Sequence, residues 1–267
     1  MEIMSLSRTH SKIFIGLATF FFVSCSGSLK LPKPADTSTS ITGSEFYKQA
    51  VSYNWKERDS LFLESFQKGS VPDFFYRFER ISISYQDSTG EKHQIQFYCS
   101  PDYLLIGTAE DWARVPVTPM AAEIIARQLN CILPTPKMVD HIYRQAKVKL
   151  EPVPMYAYRD STITMWQHHL IIEGQRKNRQ GLIAGIKKDL VQAPEQAYKG
   201  KTDRVAIYGW HRLNGSPIQP LYTGHINWYV DYSHGARLIY KRIRVDGKWM
   251  DVDELKRNPL LKNALID

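Results

Sequence analysis

The sequence is poor in cysteine and has no long apolar run. Only three of its 267 residues are cysteines, and none stands in a CxxC or other metal-ligand spacing, which argues against a disulfide-rich scaffold and a cysteine zinc centre. The main apolar stretch, residues 13–23, is too short to cross ~30 Å of hydrocarbon as a helix. There is also no internal repeat and no Gly-x-Ser-x-Gly elbow of the kind that serine hydrolases use.

The amino-terminal residues follow the order of a bacterial export signal. Arg8 and Lys12 give a positive segment, the apolar stretch follows, and residues 22–25 read Phe-Val-Ser-Cys. This order of charge, apolar run, small residue and cysteine resembles the lipobox of bacterial lipoproteins. The resemblance implies a signal peptide over residues 1–24, cleavage before Cys25, and diacylglycerol and palmitate on that cysteine.

A lipid on Cys25 would anchor the protein to a membrane of the bacterial cell envelope, with the folded part outside the cytoplasm. Residues 25–43 are rich in Ser, Thr, Pro and Lys and predict a flexible tether. Residues 44–267 are predicted to form a single α+β globular domain. The alternative is an ordinary secretory signal with an incidental cysteine.

The composition indicates a folded, basic protein. Hydrophobic residues make up 43% and aromatic residues 12%, which excludes wholesale disorder. The formal charge is +8, and residues 176–248 hold fourteen Lys or Arg against five acids. Such a stretch attracts anionic partners: peptidoglycan, other anionic glycans, lipid headgroups or phosphate esters. Nucleic acid is not expected in the envelope, and a solvated face without a ligand is the alternative.

Local signals predict an α+β fold, with helices in the N-terminal and middle parts and a mainly antiparallel sheet in the last third. Thr-Pro pairs at 118–119 and 135–136 each predict the start of a helix, and a third helix is predicted over 162–177. Residues 81–98 predict a β-hairpin, and residues 228–232 predict a strand.

Two cysteines remain once Cys25 is assigned to the lipid. Cys99 and Cys131 are an even number in a compartment that permits oxidation, so they are a possible disulfide. Two buried free thiols are the alternative.

Three of the eight histidines, His211, His225 and His234, lie within 24 residues, and Asp231 lies among them. The two stretches that hold His211 and His234 begin in apolar alternation and end on polar side chains, as strands do when they present catalytic groups at a rim. We predict these four residues as a catalytic site, with Asp231 orienting or ligating and one histidine acting as a base or ligand.

A zinc site is one version of this prediction. His225, Asp231 and His234 are the candidate ligands, and zinc would activate a bound water. The composition is loosely similar to that of zinc D-Ala-D-Ala and murein peptidases. The spacing here is His-x5-Asp rather than His-x6-Asp and the Glu-x-Trp-His element is missing, so no residue roles are transferred. A version without metal takes Ser233 as a nucleophile and His211 or His225 as its base, with Asp231 orienting the base.

Further polar residues suggest substrate contacts. Lys187, Lys188 and Arg237 are predicted to hold substrate anions. His169 and Glu173 stand four apart on a predicted helix and share one face, which suggests a second half of a site or an ordinary surface pair.

Two motifs resemble those of a family of secreted bacterial proteins that is itself uncharacterised. They are Tyr-Gly-Trp-His at 208–211 and Tyr-Val-Asp-Tyr-Ser-His-Gly at 229–235, and the resemblance covers residues 100–245. It implies that both motifs belong to one domain and implies no activity.

The sequence therefore predicts one of two functions. The first is a lipid-anchored hydrolase, of peptidase or amidase type, acting on peptidoglycan or another anionic envelope polymer. The second is a non-catalytic lipoprotein that binds glycan or peptide through a basic, aromatic face. Convergence of the three histidines and Asp231 within ~8 Å around an open cleft would favour the first.

Overall fold

The computed structural model describes residues 27–33 and 40–266. Helices and mostly antiparallel strands are mixed along this part of the chain, so the predicted α+β fold is confirmed. None of its helices is both long and apolar enough to span a bilayer. The helices are α1 Gly43–Gln49, α2 Trp55–Gln67, α3 Pro119–Gln128, α4 Pro136–Gln145, α5 Thr162–Arg176 and α6 Val252–Arg257.

The strands form two larger sheets and two small ribbons. They are β1 Ser28–Lys30, β2 Arg77–Gln86, β3 Lys92–Cys99, β4 Leu105–Gly107, β5 Trp112–Arg114, β6 Cys131–Ile132, β7 Val148–Lys149, β8 Ile183–Ala184, β9 Lys188–Leu190, β10 Ile207–His211, β11 Pro217–Tyr222, β12 His234–Gly235, β13 Ile239–Tyr240, β14 Arg242–Val245 and β15 Lys248–Asp251.

Side-chain caps set the starts of the middle helices. Thr118 and Thr135 each accept a hydrogen bond from the backbone N–H three residues on, and a proline occupies the first helical position. Ser161 caps α5 in the same way, and Lys177 ends it at a left-handed φ of 49°. The predicted positions of these three helices are confirmed because their signals are local.

The seven-stranded sheet is built on the β2–β3 hairpin. The two strands pair antiparallel from Glu79 opposite Cys99 to Gln86 opposite Lys92, which confirms the predicted hairpin. β1 extends the sheet beyond β2, and β13 and β14 both pair with β3 on its other side. Apolar side chains of this sheet form a core with α4 and α6.

The four-stranded sheet has the order β11-β10-β9-β12. β9 pairs antiparallel with β10 and parallel with β12, so Gly209 and His234 lie on either side of Lys188. The strand predicted over residues 228–232 is wrong, because these residues form turns and only His234 and Gly235 join the sheet.

Part of the predicted tether is structured. Residues 28–30 pair antiparallel with residues 77–79, and Leu31 is buried. The expectation of flexibility is therefore wrong for residues 28–31. The predicted signal peptide and Cys25 lie outside the described residues.

Cys99 and Cys131 are buried free thiols. β13 lies between their strands, with Ile239 opposite Cys99 and Tyr240 opposite Cys131. Two strand spacings separate the two cysteines by ~10 Å, whereas a disulfide needs Cα atoms within ~7 Å. The structure thus has the free-thiol alternative and not the disulfide.

Candidate functional site

A tight turn after residue 230 presents His234. The Asp231 carbonyl accepts a hydrogen bond from the His234 N–H at 3.1 Å. The Asp231 Oδ1 accepts from the Ser233 N–H at 2.8 Å and from the Ser233 hydroxyl at 2.5 Å. The Lys188 N–H then donates to the Ser233 carbonyl at 2.7 Å, which ties the turn to β9. The Ser233 hydroxyl is thereby committed to Asp231, so the geometry argues against Ser233 as a nucleophile.

Asp231 is fully buried and held as a carboxylate. Arg159 Nη2 donates to its Oδ2 at 2.8 Å, and the Tyr229 hydroxyl lies 3.4 Å from the same oxygen. Burial alone would raise the pKa of Asp231, but the charge that His234 carries when it is protonated and the hydrogen bonds from Ser233 outweigh it and hold the pKa below its ordinary value. The site therefore contains a fixed negative charge.

His234 lies beside this charge and is uncharged. Its side chain is 1% exposed, its Nε2 is 4.0 Å from Asp231 Oδ1, and neither ring nitrogen has a hydrogen-bond partner among the described residues. Burial lowers the pKa of His234, and the attraction of Asp231 only partly offsets this effect. A buried imidazole with two free nitrogens is available to a proton or a ligand.

His225 is the accessible member of the group. Its ring lies 5.8 Å from the ring of His234 and 4.7 Å from that of Tyr229, and its side chain is half-buried. Burial lowers the pKa of His225 as well, so the ring is neutral near pH 7 and is able to accept a proton. His225, Asp231 and His234 therefore lie in one cluster.

Lys188 faces this cluster and Lys187 does not. The ammonium of Lys188 lies 5.2 Å over the Trp210 ring, and Asp231 partly offsets the lowering of the Lys188 pKa by burial. The side chain of Lys187 is 1% exposed, and its ammonium is bound within the fold. Its Nζ donates to the Tyr232 carbonyl and lies 3.1 Å from His168 Nδ1. The prediction that Lys187 holds a substrate anion is wrong.

Arg237 is also a structural residue rather than a substrate contact. Its guanidinium is 1% exposed, donates to the Ser100 and Ile183 carbonyls at 2.7 and 2.6 Å, and lies 4.3 Å over the Tyr103 ring. These contacts join the segment between β12 and β13 to its neighbours, so the predicted anion contact is wrong.

His211 belongs to a different place. Its Nε2 lies 3.0 Å from Asp140 Oδ1, which also accepts from the Tyr208 hydroxyl at 3.0 Å, and its ring stacks on Tyr143. Asp140, Tyr143 and His211 line a separate cleft of about 410 Å³. The three histidines therefore do not converge: His211 lies with Asp140, whereas His225 lies with His234.

The zinc prediction fails on geometry. His225, Asp231 and His234 do not bring one ligand atom each within 4.8 Å of the others. Within the described residues, Asp87, Glu91 and His93 of the β2–β3 hairpin are the three side chains whose ligand atoms lie that close together. The Asp231 oxygens already accept hydrogen bonds, Oδ2 from Arg159 and Oδ1 from Ser233.

His169 and Glu173 are parts of a buried ionic network. Both lie against Arg114, whose Nη1 is 2.8 Å from a Glu173 oxygen and 3.4 Å from His169 Nδ1. Arg114 also binds Asp102 through two bonds of 2.7 Å. This network supports α5 and is not a second half of the site.

Sequence reasoning missed the residues that complete the cluster. Arg159 stands 72 positions before its partner Asp231, in a loop without a regular pattern, and nothing local indicates the pairing. The sequence indicates Tyr229 only as part of a motif, whereas in the fold its ring packs on His225. Comparisons of this chain with family models, curated proteins and solved structures found no match.

Proposed function

We propose that this protein is a lipid-anchored cell-envelope hydrolase that acts on peptidoglycan or another anionic envelope polymer. The observation that carries the proposal is the pair of neutral histidines, His225 and His234, beside the buried carboxylate of Asp231. Paired titratable groups with displaced pKa values are typical of acid–base catalysis.

In this proposal His225 is the general base, because it is the half-exposed member of the cluster. A water molecule attacks the scissile bond and transfers one proton to the His225 ring. The ring then returns that proton to the leaving group, so that acid and base steps balance. The carboxylate of Asp231 favours the transient positive charge on His225, while the ammonium of Lys188 would stabilise negative charge that develops on the substrate.

A non-catalytic lipoprotein that binds glycan or peptide is the second candidate. It is favoured by the enclosure of His234, which is 1% exposed, and by a partly exposed aromatic cleft nearby. It would use the same face without turning over a substrate.

The test is digestion of purified cell-wall sacculi and of soluble acidic polysaccharides by the full chain in detergent, with products read by mass spectrometry. We expect cleavage by the wild type and its loss in His225→Ala. His141→Gln changes a histidine on α4 that contacts Arg144 instead, and should cleave normally. Cleavage should fall as pH drops through the lowered pKa of His225. An absence of wild-type products, or normal cleavage by His225→Ala, contradicts the hydrolase proposal.

A further inference from the structure

A cleft of about 280 Å³ separates the first turn of α2 from residues 228–230. The rings of Trp55 and Trp228 are nearly parallel, with an interplanar angle of 18° and centroids 6.5 Å apart, and Trp228 is 44% exposed. Tyr53 and Tyr229 complete the aromatic lining. The cleft thus offers partly exposed ring faces within reach of solvent.

A buried cation without a partner also lines this cleft. Arg58 is 2% exposed, and its Nε and Nη2 have no acceptor among the described residues. The neighbouring residue Asp59 does not bond Arg58. Its Oδ2 accepts a hydrogen bond from the Thr118 hydroxyl at 2.5 Å, and its Oδ1 has no hydrogen-bond partner among the described residues. A buried charge that makes no bond is costly to a fold, so its presence needs an explanation other than stability.

Arg58 lines the cleft and keeps its charge. Burial lowers the pKa of Arg58, and Asp59 and then Tyr47 and Asp160 partly offset this effect. Since an arginine stays protonated in proteins, the guanidinium keeps its charge and its donors. Asp160 is exposed on the cleft wall, but no ion pair joins it to Arg58 within the described part of the chain.

We infer that this cleft binds a sugar ring that carries a carboxylate, with the carboxylate on Arg58 and the ring against Trp55 and Trp228. A guanidinium presents two parallel N–H donors that match the two oxygens of a carboxylate. The C–H edges of a saturated ring are attracted to the negative face of an aromatic ring. Asn54 lines the same cleft, and its side-chain amide is able to bond hydroxyl groups.

The single acid on the wall favours a carboxylate over a phosphate. Asp160 would repel a doubly charged phosphate more strongly than a singly charged carboxylate. It would also accept hydrogen bonds from sugar hydroxyls, which a phosphate without a sugar does not offer.

This inference takes from the proposed function only the location in the cell envelope. It narrows the anionic polymer to one whose sugars carry a carboxylate. Tyr229 connects the two places, because it lines the cleft while its ring packs on His225 and its hydroxyl lies 3.4 Å from Asp231 Oδ2. A sugar bound in the cleft would therefore lie next to the proposed base.

The test measures binding by calorimetry of two probes, a short galacturonic acid oligomer and the methyl ester of the same oligomer, to the full chain in detergent. We expect the wild type to bind the acid about tenfold or more tightly than the ester, since hydrogen bonds to charged groups are the strong ones. In Arg58→Gln this preference should disappear, whereas Arg127→Gln, an exposed arginine of α3, should keep it.

Two further variants separate the aromatic contribution and the catalytic proposal. Trp228→Ala should weaken both probes, and Trp249→Ala, a partly exposed tryptophan on β15, should weaken neither. His225→Ala should keep the preference even where it abolishes cleavage, so failure of catalysis and failure of this cleft are distinguishable.

Arg58→Gln should fold, because the Arg58 side chain makes no hydrogen bond to any of the described residues, and its thermal unfolding is measured alongside. Should it unfold, Arg58→Lys serves instead: it keeps the charge but not the paired donors and should retain only part of the preference. Equal binding of acid and ester by the wild type, or an undiminished preference in a folded Arg58→Gln, would overturn the inference.

Discussion

The pH dependence of stability should be dominated, above neutrality, by Lys187. Its side chain is 1% exposed, and burial, reinforced by Arg114, lowers its pKa from 10.5 to about 7 against the attraction of Asp231 and Asp102. Between these two values the unfolded chain holds a proton that the folded chain has released. The free energy of unfolding therefore rises with pH across this window.

The size of the effect follows from the shift. One pKa unit corresponds to ~1.36 kcal/mol. Between about pH 7 and about pH 8.5, Lys187 should contribute a gain of about 2 kcal/mol to the free energy of unfolding. Above this range the raised pKa values of the buried thiols Cys99 and Cys131, and then of Tyr47 and Tyr103, work in the opposite direction, so the measurement stops there.

Lys187→Met should remove this rise. The substitution leaves the Tyr232 carbonyl and His168 Nδ1 without their donor, which costs about 1–3 kcal/mol each at every pH and does not change the slope. Urea unfolding at a series of pH values gives the slope for the wild type, for Lys187→Met and for Lys248→Met, an exposed lysine on β15. Equal slopes in the wild type and Lys187→Met would refute the assignment of a lowered pKa to Lys187.

Three other results are expected. Cys25→Ser should abolish incorporation of labelled palmitate and move the protein from the membrane fraction; incorporation that persists would contradict the lipobox. Cys99 and Cys131 should both react with a maleimide in denaturant without prior reduction, and a requirement for reductant would reveal a disulfide. Arg114→Met should lower the free energy of unfolding by about 3–5 kcal/mol, because it leaves the carboxylate of Asp102 buried and unpaired; a loss under about 1 kcal/mol in urea titrations would show that the pair is weak.

The parts of the fold that were predictable depend on short-range chemistry. The Thr-Pro pairs at 118–119 and 135–136 begin helices because one threonine oxygen satisfies a free backbone N–H three residues later. The hairpin over 81–98 follows from apolar alternation on both sides of a turn. Both signals lie within about a dozen residues, so no knowledge of the rest of the chain is needed.

The turn at residues 231–234 was not predicted, because the Asp231 side chain competes with strand pairing for the backbone N–H of Ser233. The alternation of apolar residues over 228–232 predicts a strand, but Asp231 bonds the backbone and the hydroxyl of Ser233 and bends the chain. The same turn places His234 against Lys188, so the feature that defeated the strand prediction is the one that builds the site.

The charge pattern indicated an anionic partner but could not indicate which cations meet it. Lys187 and Arg237 lie in the strongly basic stretch, yet both are buried and bond carbonyl groups of their own fold. Arg58 lies far outside that stretch, and it is buried with two nitrogens that bond nothing among the described residues. Counting charges along a sequence gives the average field at long range, whereas recognition depends on donors that the fold leaves without a partner. The exposed basic residues of 176–248 therefore attract an anionic polymer at long range, whereas Arg58 binds it specifically. Raising the salt concentration should weaken the long-range attraction more than the binding at Arg58.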